Sequence, residues 1–149
     1  MNRKDNVFNL KIKKVNREAR LPEFAHEGDA GMDLFSVEDI LLGAGECLAV
    51  ATGIIIELPR NSEAQIRPRS GLALKNMITL LNTPGTIDEG YRGEIKVIMM
   101  NHGKKDFNIT KGMKIAQMVL REHFISEVVE VDQLGSTARG DKGFGSSGK

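Results

Sequence analysis

The chain has 149 residues, enough for one domain with its own core and too few for two. Its 21 Lys and Arg nearly balance 20 Asp and Glu, a formal charge of +1, which argues against a dedicated nucleic-acid binder, and no apolar run is long enough to span a bilayer. One cysteine and three scattered histidines leave no internal disulfide and no zinc cluster, and the charged N-terminus leads into no apolar stretch, so the expectation is a soluble, cytoplasmic protein with no membrane partner.

In chain order, Phe8, Leu10 and Ile12 alternate with polar residues, which predicts a half-buried strand. The first 20 residues carry seven Lys or Arg against Asp5 and Glu18. Lysines guarding a sheet edge explain that excess, and an anion-attracting surface is the alternative. Ile40–Leu42, a turn over 43–46 and Cys47–Val50 read as strand, turn and strand. Ser70–Lys75 predicts a helix of barely two turns with Ser70 as N-cap. The apolar Ile78–Leu81 and a strand over Glu94–Met100 flank a loop marked by Pro84-Gly85, with Ile95, Val97 and Met99 on one parity. Ile115, Gln117 and Val119 mark another strand, and Val128, Val129 and Val131 a last one. Many short strands separated by Gly, Pro, Asn and Asp predict an all-β sandwich, barrel or jelly roll with one short helix.

Residues 1–134 form the expected folded domain, and 135–149 a flexible glycine-rich segment with five Gly and four Ser or Thr. An ordinary tail has this composition, but so does a lid. In a lid, Phe144 would cover a planar ring while Arg139, Ser146, Ser147 and free backbone N–H groups wrap phosphates.

Several stretches have residues suited to chemistry. In Pro68-Arg69-Ser70-Gly71-Leu72, an arginine precedes a helix start, which suits an anion, although a plain cap with a surface Arg is equally readable. The stretch from Asn82 to Glu94 exposes a turn whose backbone could read the edge of a base. Asp88 could act as a general base within reach of a water, and Tyr91, the only tyrosine, could pack on a sugar. A structural turn with Asp88 paired to Arg92 is the plainer reading. Ala30-Gly31-Met32-Asp33-Leu34 and Gly112-Met113-Lys114-Ile115-Ala116-Gln117 are each weak alone, Asp33 as a turn acid and Gln117 as an outward strand residue.

Together with Arg139-Gly140-Asp141-Lys142-Gly143-Phe144-Gly145-Ser146-Ser147-Gly148, these five motifs stand in the order and spacing of one family. The chain resembles the trimeric dUTPases, deoxyuridine 5′-triphosphate nucleotidohydrolases. The resemblance implies a jelly-roll-like β subunit, a homotrimer with active sites at subunit interfaces, and hydrolysis of dUTP to dUMP and pyrophosphate. That activity would limit uracil in DNA and supply dUMP for thymidylate synthesis. Carried onto matching positions, Asp88 would activate the water that attacks the α-phosphorus. Magnesium would ride on the triphosphate, reached by Asp33 through water. Arg69, Ser70, Gly71 and Gln117 would hold phosphates. Asn82 and the backbone near Thr86, Ile87 and Lys96 would read uracil, and Tyr91 would lie under the deoxyribose. Phe144 would stack on uracil, while Arg139, Gly145, Ser146 and Ser147 would close over the γ-phosphate.

Departures from the family pattern are small. Lys142 stands where glycine is usual, Ser147 where threonine is common, and Lys114 where arginine is frequent. The rival activities are dCTP deamination, which uses a related fold, and a regulatory binding protein, whose phage-type examples tend to carry an added insert that this chain lacks between its motifs.

Overall fold

The structure, a computed structural model, describes Val7 and residues 9–143. The expectations placed on Phe8, Phe144, Gly145, Ser146 and Ser147 lie outside the described residues. Among the described residues there are twelve strands and one helix: β1 (Lys11–Lys14), β2 (Glu23–Phe24), β3 (Met32–Phe35), β4 (Ile40–Leu42), β5 (Cys47–Ala51), β6 (Ile54–Glu57), β7 (Ser62–Arg67), α1 (Ser70–Asn76), β8 (Ile78–Leu80), β9 (Gly85–Ile87), β10 (Lys96–Asn101), β11 (Phe107–Ile109) and β12 (Lys114–Glu122).

The largest sheet has the order β2-β3-β12-β7-β9, a second β5-β10-β8, and two pairs, β1-β6 and β11-β4, complete the fold. Every pairing is antiparallel, so each strand can bury one parity and leave the other for polar work. β10 follows the expected parity: Val97 and Met99 are buried, and Ile95 just before it is fully so. β7 alternates in the same way, with Ser62, Ala64 and Ile66 inward and Glu63, Gln65 and Arg67 outward. The inward residues of the large sheet, such as Leu34, Ile66 and Met118, share one core with Val50, Val97 and Met99 of the second.

The strand, turn and strand expected over 40–50 are present, while the helix cap and the last strand differ from the sequence reading. The strands on either side of residues 43–46 do not pair with each other: β4 joins β11 and β5 joins β10. The turn, with Gly45 at φ +78°, therefore carries the chain from one sheet to another. Ser70 is the first helical residue rather than the cap. Arg69 holds the N-cap position in extended conformation (φ −93°, ψ 128°), with no side-chain capping bond. Val128, Val129 and Val131 form no strand here; Val128 is 95% exposed, and no described strand pairs with this stretch to satisfy its amides.

Two polar contacts fasten the frame. Asn101, fully buried at the end of β10, donates through Nδ2 to the carbonyls of Leu42 (3.1 Å) and Lys105 (2.9 Å) and accepts at Oδ1 from Gly103 N–H (2.8 Å). At the edge, Lys11 of β1 bonds Glu57 of β6 at 2.6 Å, which holds the Glu57 carboxyl below the usual glutamate range.

Candidate active site

The outward face of the large sheet sets one row of side chains. Gln117 of β12 lies opposite Asp33 of β3 on one side and opposite Arg67 of β7 on the other, so all three project from the same face. Pro68 follows directly and keeps the residue before it extended, so β7 runs straight into the N-cap of α1. The Arg69 side chain then turns back over the row. Its Nε lies 3.1 Å from Asp33 Oδ1, and its Nη1 donates to the Lys114 carbonyl at 3.1 Å.

Lys114 Nζ takes the other carboxylate oxygen at 2.7 Å. Asp33 is only 8% exposed, and a buried carboxylate needs such partners. Asp33 thus fixes the direction of Arg69, which the sequence alone did not reveal. Gln117 Nε2 donates to the Pro68 carbonyl at 2.9 Å, tying β12 to the strand-to-helix turn. A Cβ added at Gly31 would collide with Gln117 Oε1, so glycine there serves close approach. Asp33, Arg69, Ser70, Gly71 and Gln117 line one groove of about 330 Å³, together with Arg67. Among the predicted residues, Arg69, Ser70, Gly71 and Gln117 are therefore brought together with Asp33.

The base-reading candidates sit on the loop from β8 to β10. β9 pairs with β7 in the register Ala64↔Ile87, Gln65↔Thr86, Ile66↔Gly85, which holds Thr86 and Ile87 against the large sheet. The Thr83–Pro84 peptide is cis. Gly85 is buried beside Asn82, whose Nδ2 would lie 3.0 Å from an added Cβ. After β9 the chain turns, with Tyr91 N–H donating to the Asp88 carbonyl at 3.0 Å. The Tyr91 hydroxyl donates to the Glu94 carbonyl at 3.1 Å, and its ring occupies the space that a Cβ at Gly93 would need. Tyr91 is 44% exposed and fixed at its hydroxyl end, which leaves ring surface for a ligand.

Arg92 donates to the carbonyls of Glu89 (2.8 Å) and Tyr91 (2.9 Å) instead of pairing with Asp88. The Asp88 carboxylate is exposed and makes no ion pair among the described residues. The plainer reading of that turn is therefore not the one realised. Lys96 is exposed at the start of β10, opposite Ala51.

A second groove of about 440 Å³ joins Arg67, Ser70 and Gln117 to Thr83 and Pro84 at the base of the loop. Asp88, Tyr91 and Lys96 line neither groove, so one chain does not gather the whole predicted set. Arg139 lies in an exposed turn, its Nε donating to the Lys142 carbonyl at 3.1 Å, and likewise lines neither groove. Sequence reasoning missed Arg67 and Gln65. Their signal was the alternation of Glu63, Gln65 and Arg67 along a strand that the apolar pattern did not mark.

Fold and site together describe an all-β protein with a cation-lined groove at a strand-to-helix turn and a nearby loop whose Asp88 carboxylate makes no ion pair among the described residues. The family described as dUTPase matches residues 17–148, and the chain belongs to it. It is 61% identical over 142 residues to the deoxyuridine 5′-triphosphate nucleotidohydrolase of Alkaliphilus metalliredigens, covering 95% of this chain and 99% of that protein. A protein of the same name from Clostridium acetobutylicum is 62% identical over 142 residues, covering 95% and 98%. Among solved structures, the dUTPase of Staphylococcus bacteriophage 80alpha with dUPNHPP superposes with a TM-score of 0.90 at 28% identity, covering 96% of this chain and 100% of that one.

Proposed function

We infer that the chain hydrolyses dUTP to dUMP and pyrophosphate. The observation that carries this reading is the near full-length identity to proteins named for that activity, supported by a groove lined by Asp33, Arg69, Ser70, Gly71 and Gln117. Water attacks the α-phosphorus and its oxygen bonds there. The bond from that phosphorus to the bridging oxygen breaks and pyrophosphate leaves. Asp88, exposed and without a cationic partner among the described residues, orients the water and takes its proton. Arg69 meets the phosphates already oriented by Asp33, and Ser70, Gly71 and Gln117 complete the grip.

Asn82 and the backbone at Thr86, Ile87 and Lys96 read the uracil edge, and the tight loop leaves no room for a thymine methyl. Tyr91 packs under the deoxyribose and rejects a 2′-hydroxyl. Because Asp88 and the Arg69 groove lie apart on one chain, the reading includes a homotrimer whose sites combine the loop of one subunit with the groove of another. Residues 135–149 then act as a lid: Phe144 stacks on uracil, while Arg139, Gly145, Ser146 and Ser147 bind the γ-phosphate.

Magnesium fits this site only as an ion carried by the substrate. Among the described residues no three His, Cys, Asp or Glu side chains are grouped to hold a metal, and both Asp33 oxygens already face cations. Such an ion keeps several waters, through which Asp33 is the side chain placed to reach it. When bound, it would spread the charge that develops on the phosphate oxygens.

The test is pyrophosphate release with magnesium from dUTP, dTTP, dCTP and UTP, for the wild type and for Asp88→Asn. Strong preference for dUTP is expected, with Asp88→Asn still binding but turning over on the order of a hundredfold or more slower. Ammonia released from dCTP would move the chain to deamination. Turnover of none of the four would end the hydrolase reading.

A further inference from the structure

We propose that Arg67 is a substrate-binding residue for the polyphosphate chain, and that Gln65 is the positioning residue that aims it. The inference rests on the reading of the groove as a triphosphate site and adds a cation that none of the recognised motifs assigned.

Arg67 faces Gln117 across β7 and β12, on the same face as Asp33, and it lines both the phosphate groove and the groove that continues to Thr83 and Pro84. It is therefore the cation at the junction of the phosphate path with the base of the loop. Its orientation is built. Gln65, two residues back on the same strand face, accepts through Oε1 from both Nε and Nη2 of Arg67, and its own Nε2 donates to Glu63 Oε1 at 2.7 Å. Three successive outward residues of β7 thus form one chain of hydrogen bonds ending in a guanidinium.

Charge distinguishes the two arginines. Arg69 is partly compensated, since it shares the Asp33 carboxylate, 3.1 Å away, with Lys114. Arg67 makes no ion pair among the described residues, because what holds it is a neutral amide. Nη1 has no hydrogen-bond partner among the described residues. An amide fixes direction without cancelling charge, so Arg67 offers an incoming anion an uncompensated positive field and at least one directed N–H. A side chain serving only as a structural strut would bond directly to Glu63, four positions earlier on the same face; here Gln65 stands between them.

The experiment is steady-state kinetics on the full chain with dUTP, together with inhibition by dUMP and by a non-hydrolysable dUTP analogue, for wild type, Arg67→Gln, Arg67→Lys and Gln65→Met. Losing one charge-assisted phosphate contact is expected to raise KM for dUTP about tenfold in Arg67→Gln with kcat within about threefold. The analogue should weaken by a similar factor and dUMP by less, since dUMP lacks the β- and γ-phosphates. Arg67→Lys keeps the charge and loses the fork, giving an intermediate KM. Gln65→Met should raise KM about threefold in the wild type and not at all on top of Arg67→Gln, the non-additivity expected of a residue acting through another.

If Arg67→Gln does not fold, Arg67→Lys decides: a raised KM supports the assignment and an unchanged one overturns it. An unchanged KM in folded Arg67→Gln, or equal weakening of dUMP and the analogue, sinks the role of Arg67 while leaving dUTP hydrolysis standing. Failure of the wild type itself to turn over dUTP removes the underlying reading instead.

Discussion

At the residue scale the site depends on a few atoms whose positions are set by their neighbours' shape. Gln117 can reach the Pro68 carbonyl because Gly31 leaves its carboxamide room. A methyl at Gly31 would push that carboxamide away while disturbing only the end of a flexible side chain. Gly31→Ala is therefore expected to cost about 1 kcal/mol or less of stability, yet to lower kcat/KM roughly ten- to hundredfold, since small misplacements in a positioning site cost that much. Kinetics and thermal melting on the same preparation check both halves. Asp33 has a similar indirect role: its carboxylate lies between Arg69 and Lys114, so its first effect is on where Arg69 points.

At the scale of elements, β7 and β12 carry the cation-lined groove because β7 alternates, with Gln65 and Arg67 outward, and β12 sets the half-buried Gln117 beside them between buried neighbours. β7 also hands the chain to α1 through Pro68 without a break. The second sheet is tied to β4 and to the turn after β10 by a single buried side chain, Asn101. Replacing it with leucine keeps much of the volume and strands two carbonyls and one N–H. Asn101→Leu is expected to destabilise the fold by about 2–4 kcal/mol, read as a shift of the denaturation midpoint. The turn at 43–46 explains why this one side chain matters: it passes the chain between sheets, so β4 and β5 share no ladder of their own.

At the scale of the whole molecule, the second groove reaches the base of the Asp88 loop at Thr83 and Pro84, but Asp88 itself lines neither groove. The proposed trimer closes that gap, and it makes a prediction that a single-chain site does not. Asp88→Asn and Arg69→Ala homotrimers should both be nearly inactive. Co-refolding them should restore measurable dUTP turnover, because some mixed sites join an intact loop to an intact groove. A mixture as inactive as its parents would exclude shared sites. Ending the chain at Ala138 should leave the number of subunits in the assembly unchanged and lower kcat/KM on the order of a hundredfold, the loss expected when a lid can no longer complete the site.

The class of fold, the short helix and the groove residues Asp33, Arg69, Ser70, Gly71 and Gln117 were legible in the sequence, because parity, turn residues and motif order are local and survive without coordinates. The sequence marked β10 by Ile95, Val97 and Met99, and it marked the Asp88 loop by Pro84-Gly85. It did not mark β7, whose inward residues begin with Ser62 and Ala64 and so carry little apolar signal. It read a strand in Val128–Val131 because β-branched residues favour one, whereas a strand also needs an edge to pair with. Tertiary structure alone decided that Arg92 turns to carbonyls rather than to Asp88, that Asp33 aims Arg69, and that Gln65 aims Arg67. Those are contacts between residues brought together by register and turn geometry, and the strength of a charge depends on which neighbour reaches it first.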